Sequence, residues 1–205
     1  YILFLDADDI LEATFLSSRV EFLSSNPAYG ICGTDILTID YKSLIMTATK
    51  RMQAPDDNML NQTLLYQQPY ESVPSNLLIR RQILIDHSIF FEERLSSTAD
   101  KYFLCCLAKF TECKNIKGGR LLYRILEGSM SHSITSKLLS DNIKYFSLLK
   151  KNNIIPGKIY NVVAKKNYYM MAGLALRLKD YRNAIIFFLK YGLTRFKLLN
   201  RSFAF

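Results

Sequence analysis

The chain opens on Tyr1-Ile-Leu-Phe-Leu5 and runs straight into Asp6-Ala-Asp8-Asp9. Five apolar residues closed by a polar cluster predict a short buried strand. The three carboxylates then stand at its C-terminal edge, where open α/β sheets bind their ligands. Carboxylates crowded together repel one another unless a cation is bound, and hard oxygen ligands suit Mg²⁺ or Mn²⁺. Such a cation would in turn hold a phosphate-bearing substrate. Asp9 has a structural alternative: followed by Glu12, it fits the N-cap of a helix with a capping box. Asp6 and Asp8 have no such structural role and are the candidates for metal or nucleotide binding.

Beyond Asp9, apolar residues at helical spacing predict a helix over 12–25, stopped by Asn26-Pro27. Tyr29–Ile39 reads as a strand with an irregularity at Gly33. From Asp40 to Pro74 the pattern lapses into a long loop with one short helix around Met59–Tyr66. Pro74–Leu84 predicts a short strand turning into a helix. A second helix runs from Thr98, a natural cap, to Phe110, with Tyr102, Phe103, Cys106, Leu107 and Phe110 on its buried face. Gly118-Gly119 breaks the chain before a strand over 121–126 and a turn over 127–131.

The order of motifs over residues 1 to about 133 resembles the inverting family-2 glycosyltransferases of GT-A fold. A hydrophobic strand leads to Asp-x-Asp-Asp, then an amphipathic helix and Asn-Pro; Ser75-Asn76, Phe91-Glu92-Glu93, Ala99-Asp100 and Tyr123-Arg124…Ser129-Met-Ser131 follow. Two positions depart from the family pattern. Its usual Glu before Asp100 is Ala99 here, and its usual His is Leu126. His132 stands either as a substitute for that His or as a solvent-facing turn residue. The resemblance implies an α/β fold with a GT-A-type, Rossmann-like mixed sheet flanked by helices, incomplete at its N-terminus, over residues 1–134. It also implies transfer of a sugar from a nucleotide-diphosphate donor to a hydroxyl of a saccharide or lipid-linked acceptor, as in surface polysaccharide or glycoconjugate synthesis. Asp8, with Asp6, would hold Mn²⁺ or Mg²⁺ against the diphosphate. Asp100 would be the general base and Arg124 a diphosphate contact. Ser75, Asn76, Ser129, Ser131 and His132 would be auxiliary or acceptor-side residues.

Phosphatases of the haloacid dehalogenase type also carry Asp-x-Asp after a strand, but Asp9-Ile10 replaces their continuation, and no Gly-Asp-x-x-x-Asp follows. A second alternative is a non-catalytic, partner-binding or membrane-associated protein on a degenerate transferase core, favoured by Ala99 and Leu126.

Residues 135–205 read as a helical extension: helices over 137–151, 158–178 and 181–196, broken at Pro156-Gly157. The last two form a tetratricopeptide-like hairpin around 158–197 with Ala172, Leu176, Tyr181, Ala184 and Phe188 as packing positions. Cys32, Cys105, Cys106 and Cys113 lack Cys-x-x-Cys spacing and read as reduced thiols of a cytoplasmic protein rather than a zinc site. The longest apolar run, Ala184–Leu189, is too short to span a bilayer. The net charge of +9 concentrates late in the chain and no nucleic-acid module is present. The basic residues from Arg177 to Arg201 read either as a solvated helix face or as an interfacial helix on an anionic membrane surface, on the inner face of the cell membrane, and not as a nucleic-acid site. With no Met at position 1 and a start inside an expected strand, the chain reads as lacking roughly 80–100 upstream residues of a domain core.

Overall fold

The computed structural model describes residues 1–46, 52–53, 57–66, 73–126 and 134–202, the side chains of 52–53 and 195–202 excepted. The architecture is mixed α/β. Two compact units are present: Tyr1–Glu92 with Asp100–Ser129, and Glu93–Ala99 with Met130–Phe205.

The first unit holds two small sheets. One has the order β1-β7-β3-β4, made of Ile10–Leu11 (β1), Asp35–Ile39 (β3), Met52–Gln53 (β4) and Leu121–Arg124 (β7). The other has the order β5-β2-β6, made of Tyr29–Gly33 (β2), Leu78–Ile79 (β5) and Glu112–Asn115 (β6). The expected single strand over 29–39 is thus two strands in two sheets, divided at Thr34 just after Gly33. The parallel pairs β2–β6 and β3–β7 follow one another along the same stretches of chain, so both members change sheet together.

Helix α1 (Phe15–Ser25), α2 (Met59–Leu64), α3 (Arg81–Asp86) and α4 (Ala99–Leu107) cover these sheets. The short helix expected near Met59 is present, as is the strand-to-helix passage after Pro74. Helix α1 starts later than expected: Thr14 is its N-cap, so Asp9 does not cap a helix, and Glu12 lies outside it in a link to Arg120. Helix α4 is shorter than expected. Tyr102, Phe103, Leu104, Cys105 and Leu107 are buried, whereas Phe110 lies beyond its end and is exposed. Thr98 is not its side-chain cap; its buried hydroxyl has no hydrogen-bond partner among the described residues.

The opening segment is half-buried rather than a fully buried strand, and among the described residues its only ladder contact is an antiparallel bridge, Ile2 to Ile79. Its side chains still alternate as strand geometry demands. Ile2 and Phe4 pack on the cluster of Ile31, Ile79, Phe103 and Leu104, while Leu3 packs on Phe15, Leu23 and Leu78. Phe4 meets Phe91 and Phe103 edge-on at 5.1 and 5.5 Å between ring centroids, and Phe91 stacks on Phe103 at 4.3 Å. Offset and edge-on aromatic contacts add to the burial energy and fix where residue 5 hands over to the acids.

The corner at which the chain leaves one sheet for the other is filled by a charge. Arg19, on α1, is fully buried. Its Nη1 donates to the carbonyls of Phe15 and Gly119 at 2.8 and 2.9 Å, and its Nη2 to Thr34 Oγ1 and Asn76 Oδ1, both at 2.9 Å. Asn76 in turn donates to the Thr34 carbonyl at 2.6 Å. The guanidinium also lies 3.3 Å from the Phe15 ring centroid. Burial lowers its pKa to about 10, yet leaves it a cation at neutral pH. Gly119 is required here, because a Cβ would stand 2.4 Å from the backbone nitrogen of Phe15.

The second unit contains α5 (Ser136–Lys151), α6 (Tyr160–Arg177) and α7 (Tyr181–Ser202), with Gly157–Ile159 as a 3-10 turn ahead of α6. Thr135 caps α5, accepting from Leu138 N at 3.2 Å. Buried Asp141 accepts from the backbone nitrogens of Ser96 and Ser97 at 2.8 and 2.7 Å, which ties the 93–99 segment to α5. Helix α6 ends with Lys179 in the left-handed region (φ 58°), Lys179 N on Leu176 O and Asp180 N on Ala175 O. That is the Schellman closure, and Asp180 then starts α7 by accepting from Asn183 N at 3.2 Å. The expected hairpin is therefore formed, with a different packing face. Ala172 and Ala184 are buried, joined by Ala175 and Phe187, whereas Leu176, Tyr181 and Phe188 are exposed.

Candidate active site

Residues 6–9 form a turn closed by Asp9 N donating to Asp6 O at 3.2 Å. The turn is slung between the sheets. Before it, Ile2 bridges to β5; after it, β1 pairs with β7 in the register Ile10–Leu122 and Leu11–Leu121. Asp6 and Asp8 are exposed at the turn, while Asp9 is half-buried.

Two neighbours hold the turn in place. Ser75, fully buried, accepts from Asp6 N at 3.1 Å. Arg124, at the end of β7, donates its backbone N to Asp9 Oδ1 at 3.1 Å and its Nε to the Asp8 carbonyl at 2.9 Å. Its remaining nitrogens reach the Asp40 carbonyl at 2.7 Å and Ser43 Oγ at 3.1 Å. Arg124 thus braces the acidic turn against the loop that follows β3.

Electrostatics brings Asp100 into the same place, although 90 residues separate it from the turn in sequence. Its side chain keeps contact with water, but protein atoms crowd it; that desolvation, with the nearby Asp6 charge second, raises its pKa above the ordinary 3.8. Asp9 is raised as well. Burial is the largest cause, opposed by the hydrogen bonds from Arg124 N and Ser75, and reinforced by Asp6 and Asp8. Asp9 Oδ2 is buried with no hydrogen-bond partner among the described residues. Ser75 and Arg124 therefore hold Asp6, Asp8 and Asp9 in one turn, and Asp100 lies near enough for the Asp6 charge to raise its pKa. Of the remaining expected residues, Asn76 is committed to Arg19 and Thr34 in the corner below. Ser129, Ser131 and His132 lie outside the described residues.

A divalent cation fits the chemistry of this donor set, since the turn offers only hard oxygens and one of them is an orphaned buried atom. Among the described residues no three His, Cys, Asp or Glu side chains already converge to hold a metal. Asp9 is the residue that sequence reasoning misassigned. The signal for its place was Ile10-Leu11, a β-favouring pair between the acids and Thr14.

No protein-family model matches the chain, and no curated protein matches it in sequence. No helix among the described residues is long and apolar enough to cross a membrane.

Proposed function

We propose that the first unit belongs to an inverting, GT-A-type glycosyltransferase that moves a sugar from a nucleotide-diphosphate donor to a hydroxyl acceptor. The observation that carries this reading is the shared electrostatic site of Asp100 and the Asp6–Asp9 turn. Inversion needs two acidic functions on opposite sides of the anomeric carbon. One side must manage the negative charge growing on the leaving diphosphate; the other must take the acceptor's proton.

On the leaving-group side, Asp8 with Asp6 would hold Mn²⁺ or Mg²⁺, which when bound supplies positive charge to the diphosphate. Ser75 and Arg124 position these acids through the backbone of the turn rather than by touching substrate. On the acceptor side, Asp100 is the general base. A carboxylate whose pKa is raised by desolvation is a stronger base than one in open water, which suits it to accept the hydroxyl proton as attack proceeds. Its neighbour Ala99 leaves it as the sole acid at the start of α4.

One observation favours the non-catalytic alternative. The Arg124 guanidinium is spent on Asp8 O, Asp40 O and Ser43, so a diphosphate contact from it would require exchanging these bonds. Calorimetric titration of uridine diphosphate into the full-length protein, with Mn²⁺ and then with chelator, separates the readings. Binding should need the cation, and Asp8→Asn should weaken it by about 1–3 kcal/mol, the scale of losing a charged ligand. Binding that is absent, or indifferent to both chelator and Asp8→Asn, rejects the metal-nucleotide assignment.

A further inference from the structure

We propose that the outward face of α7 docks on an anionic lipid surface, with the helix lying along the bilayer plane. Tyr181, Ile185, Leu189 and Leu193 recur every fourth residue, and each leaves 61–65 % of its surface in water. Phe188 and Ile186 flank them and are exposed too. The opposite side of the helix is already used: Ala184, Phe187 and Thr194 are buried where α7 packs along α6. This is a second apolar face, not the core face with a few stray residues.

Charge decides its occupant. Helix α7 carries Arg182, Lys190, Arg195, Lys197 and Arg201 and no acid in its 22 residues. Arg182 and Lys190 are exposed, Lys190 at the side of the apolar ridge with its amine 5.8 and 5.9 Å from the Phe187 and Tyr168 ring centroids. A second copy of the same face would set cation against cation. An anionic bilayer instead accepts a convex apolar ridge without needing a matching groove, while long basic side chains reach up to its headgroups. At 1.5 Å per residue the helix is about 33 Å long, but its cations and low hydropathy keep it in the interface rather than across it.

The chain contains no tryptophan, so Leu189→Trp in the full chain places a sole indole on the ridge without touching the core. Its emission should shift to the blue with vesicles of equimolar phosphatidylcholine and phosphatidylserine, and not with phosphatidylcholine alone. Adding Arg182→Gln and Lys190→Gln should weaken that partition about thirtyfold, from the usual contribution of each basic residue near an anionic surface. Both sites are exposed, and an unchanged circular dichroism spectrum will verify the fold. Equal partition onto both vesicles, or no shift with either, overturns the proposal. So does a blue shift that grows with protein concentration in the absence of vesicles, which would assign the ridge to a second copy.

Discussion

The acidic turn at residues 6–9 and helix α7 both concentrate one sign of charge, and they do so under opposite conditions. In the turn, three carboxylates share four positions; Asp9 is half-buried, Asp100 is crowded by protein atoms while still touching water, and desolvation with neighbouring acid charge raises both. Along α7 the like charges are spread over 22 residues at a surface open to solvent. Holding charge the first way works against stability, and a fold retains it when the charge has work to do. Holding it the second way costs little, and what stands out there is the apolar ridge between the cations. In each region the informative group is the one that breaks the local norm: desolvated acids in one, exposed hydrophobics in the other.

The sharpest way to break this comparison is at Asp100. Asp100→Asn should lower kcat in the full-length protein by about 10²–10⁴-fold, the usual share of a general base, with donor binding unchanged. The same variant should melt higher at neutral pH. Because the folded-state pKa exceeds the ordinary 3.8, the folded protein holds this proton more tightly than the unfolded chain. Stability is then lost as pH rises through the folded value, and the substitution removes that loss. The gain in Tm should vanish at pH values well below the ordinary carboxylate range. Turnover within a factor of a few of the parent would reduce Asp100 to a structural acid.

Next in size is Arg19→Met. It takes the charge-assisted donors away from the Phe15 and Gly119 carbonyls, Thr34 and Asn76 in a dry corner, and leaving buried acceptors short of a partner costs about 1–3 kcal/mol. Hydrogen exchange should report the loss in the sheets of the first unit and spare the α6–α7 hairpin. Equal loss of protection in both units would show that they do not fold as separate bodies.

The smallest effect belongs to Glu12, whose carboxylate meets Arg120 Nη2 at 2.7 Å with both side chains partly open to water. Glu12→Gln should cost under about 1 kcal/mol, as surface pairs do. The bonds from Arg120 lower the Glu12 pKa below 4.5. This contribution is therefore present above the ordinary value and disappears as pH falls through the folded one, the reverse of Asp100. A urea titration at neutral and at acidic pH reads both signs.

What the sequence made legible follows the range of the interactions involved. The acids after an apolar segment, the short helix at Met59 and the break at Gly118-Gly119 are local patterns, and the structure has each of them. The start of α1 was misplaced because Asp9 and Glu12 mimic a capping box, and only the pairing of Ile10-Leu11 with residues 121–122 turns them into a strand. The two-sheet split at Thr34 is signalled in the sequence by nothing stronger than Gly33. Arg19 was invisible, since in Ser17-Ser18-Arg19 it looks like a solvated residue and its partners lie up to 100 positions away. The packing face of the last hairpin was misread because both faces of α7 are apolar, and periodicity alone does not say which one meets α6.

The Arg19 corner has a consequence for how the protein is made. Its two terminal nitrogens donate to groups at residues 15, 34, 76 and 119, and no earlier stretch of chain supplies them all. While the polypeptide is still emerging from the ribosome, α1 cannot bury this cation until Gly119 has cleared the exit tunnel. The Arg19 corner of the first unit is therefore completed only once residue 119 has been made. Chaperones would meet the unit in the interval before that, with Phe15, Leu23 and the Phe4 ring pair not yet covered.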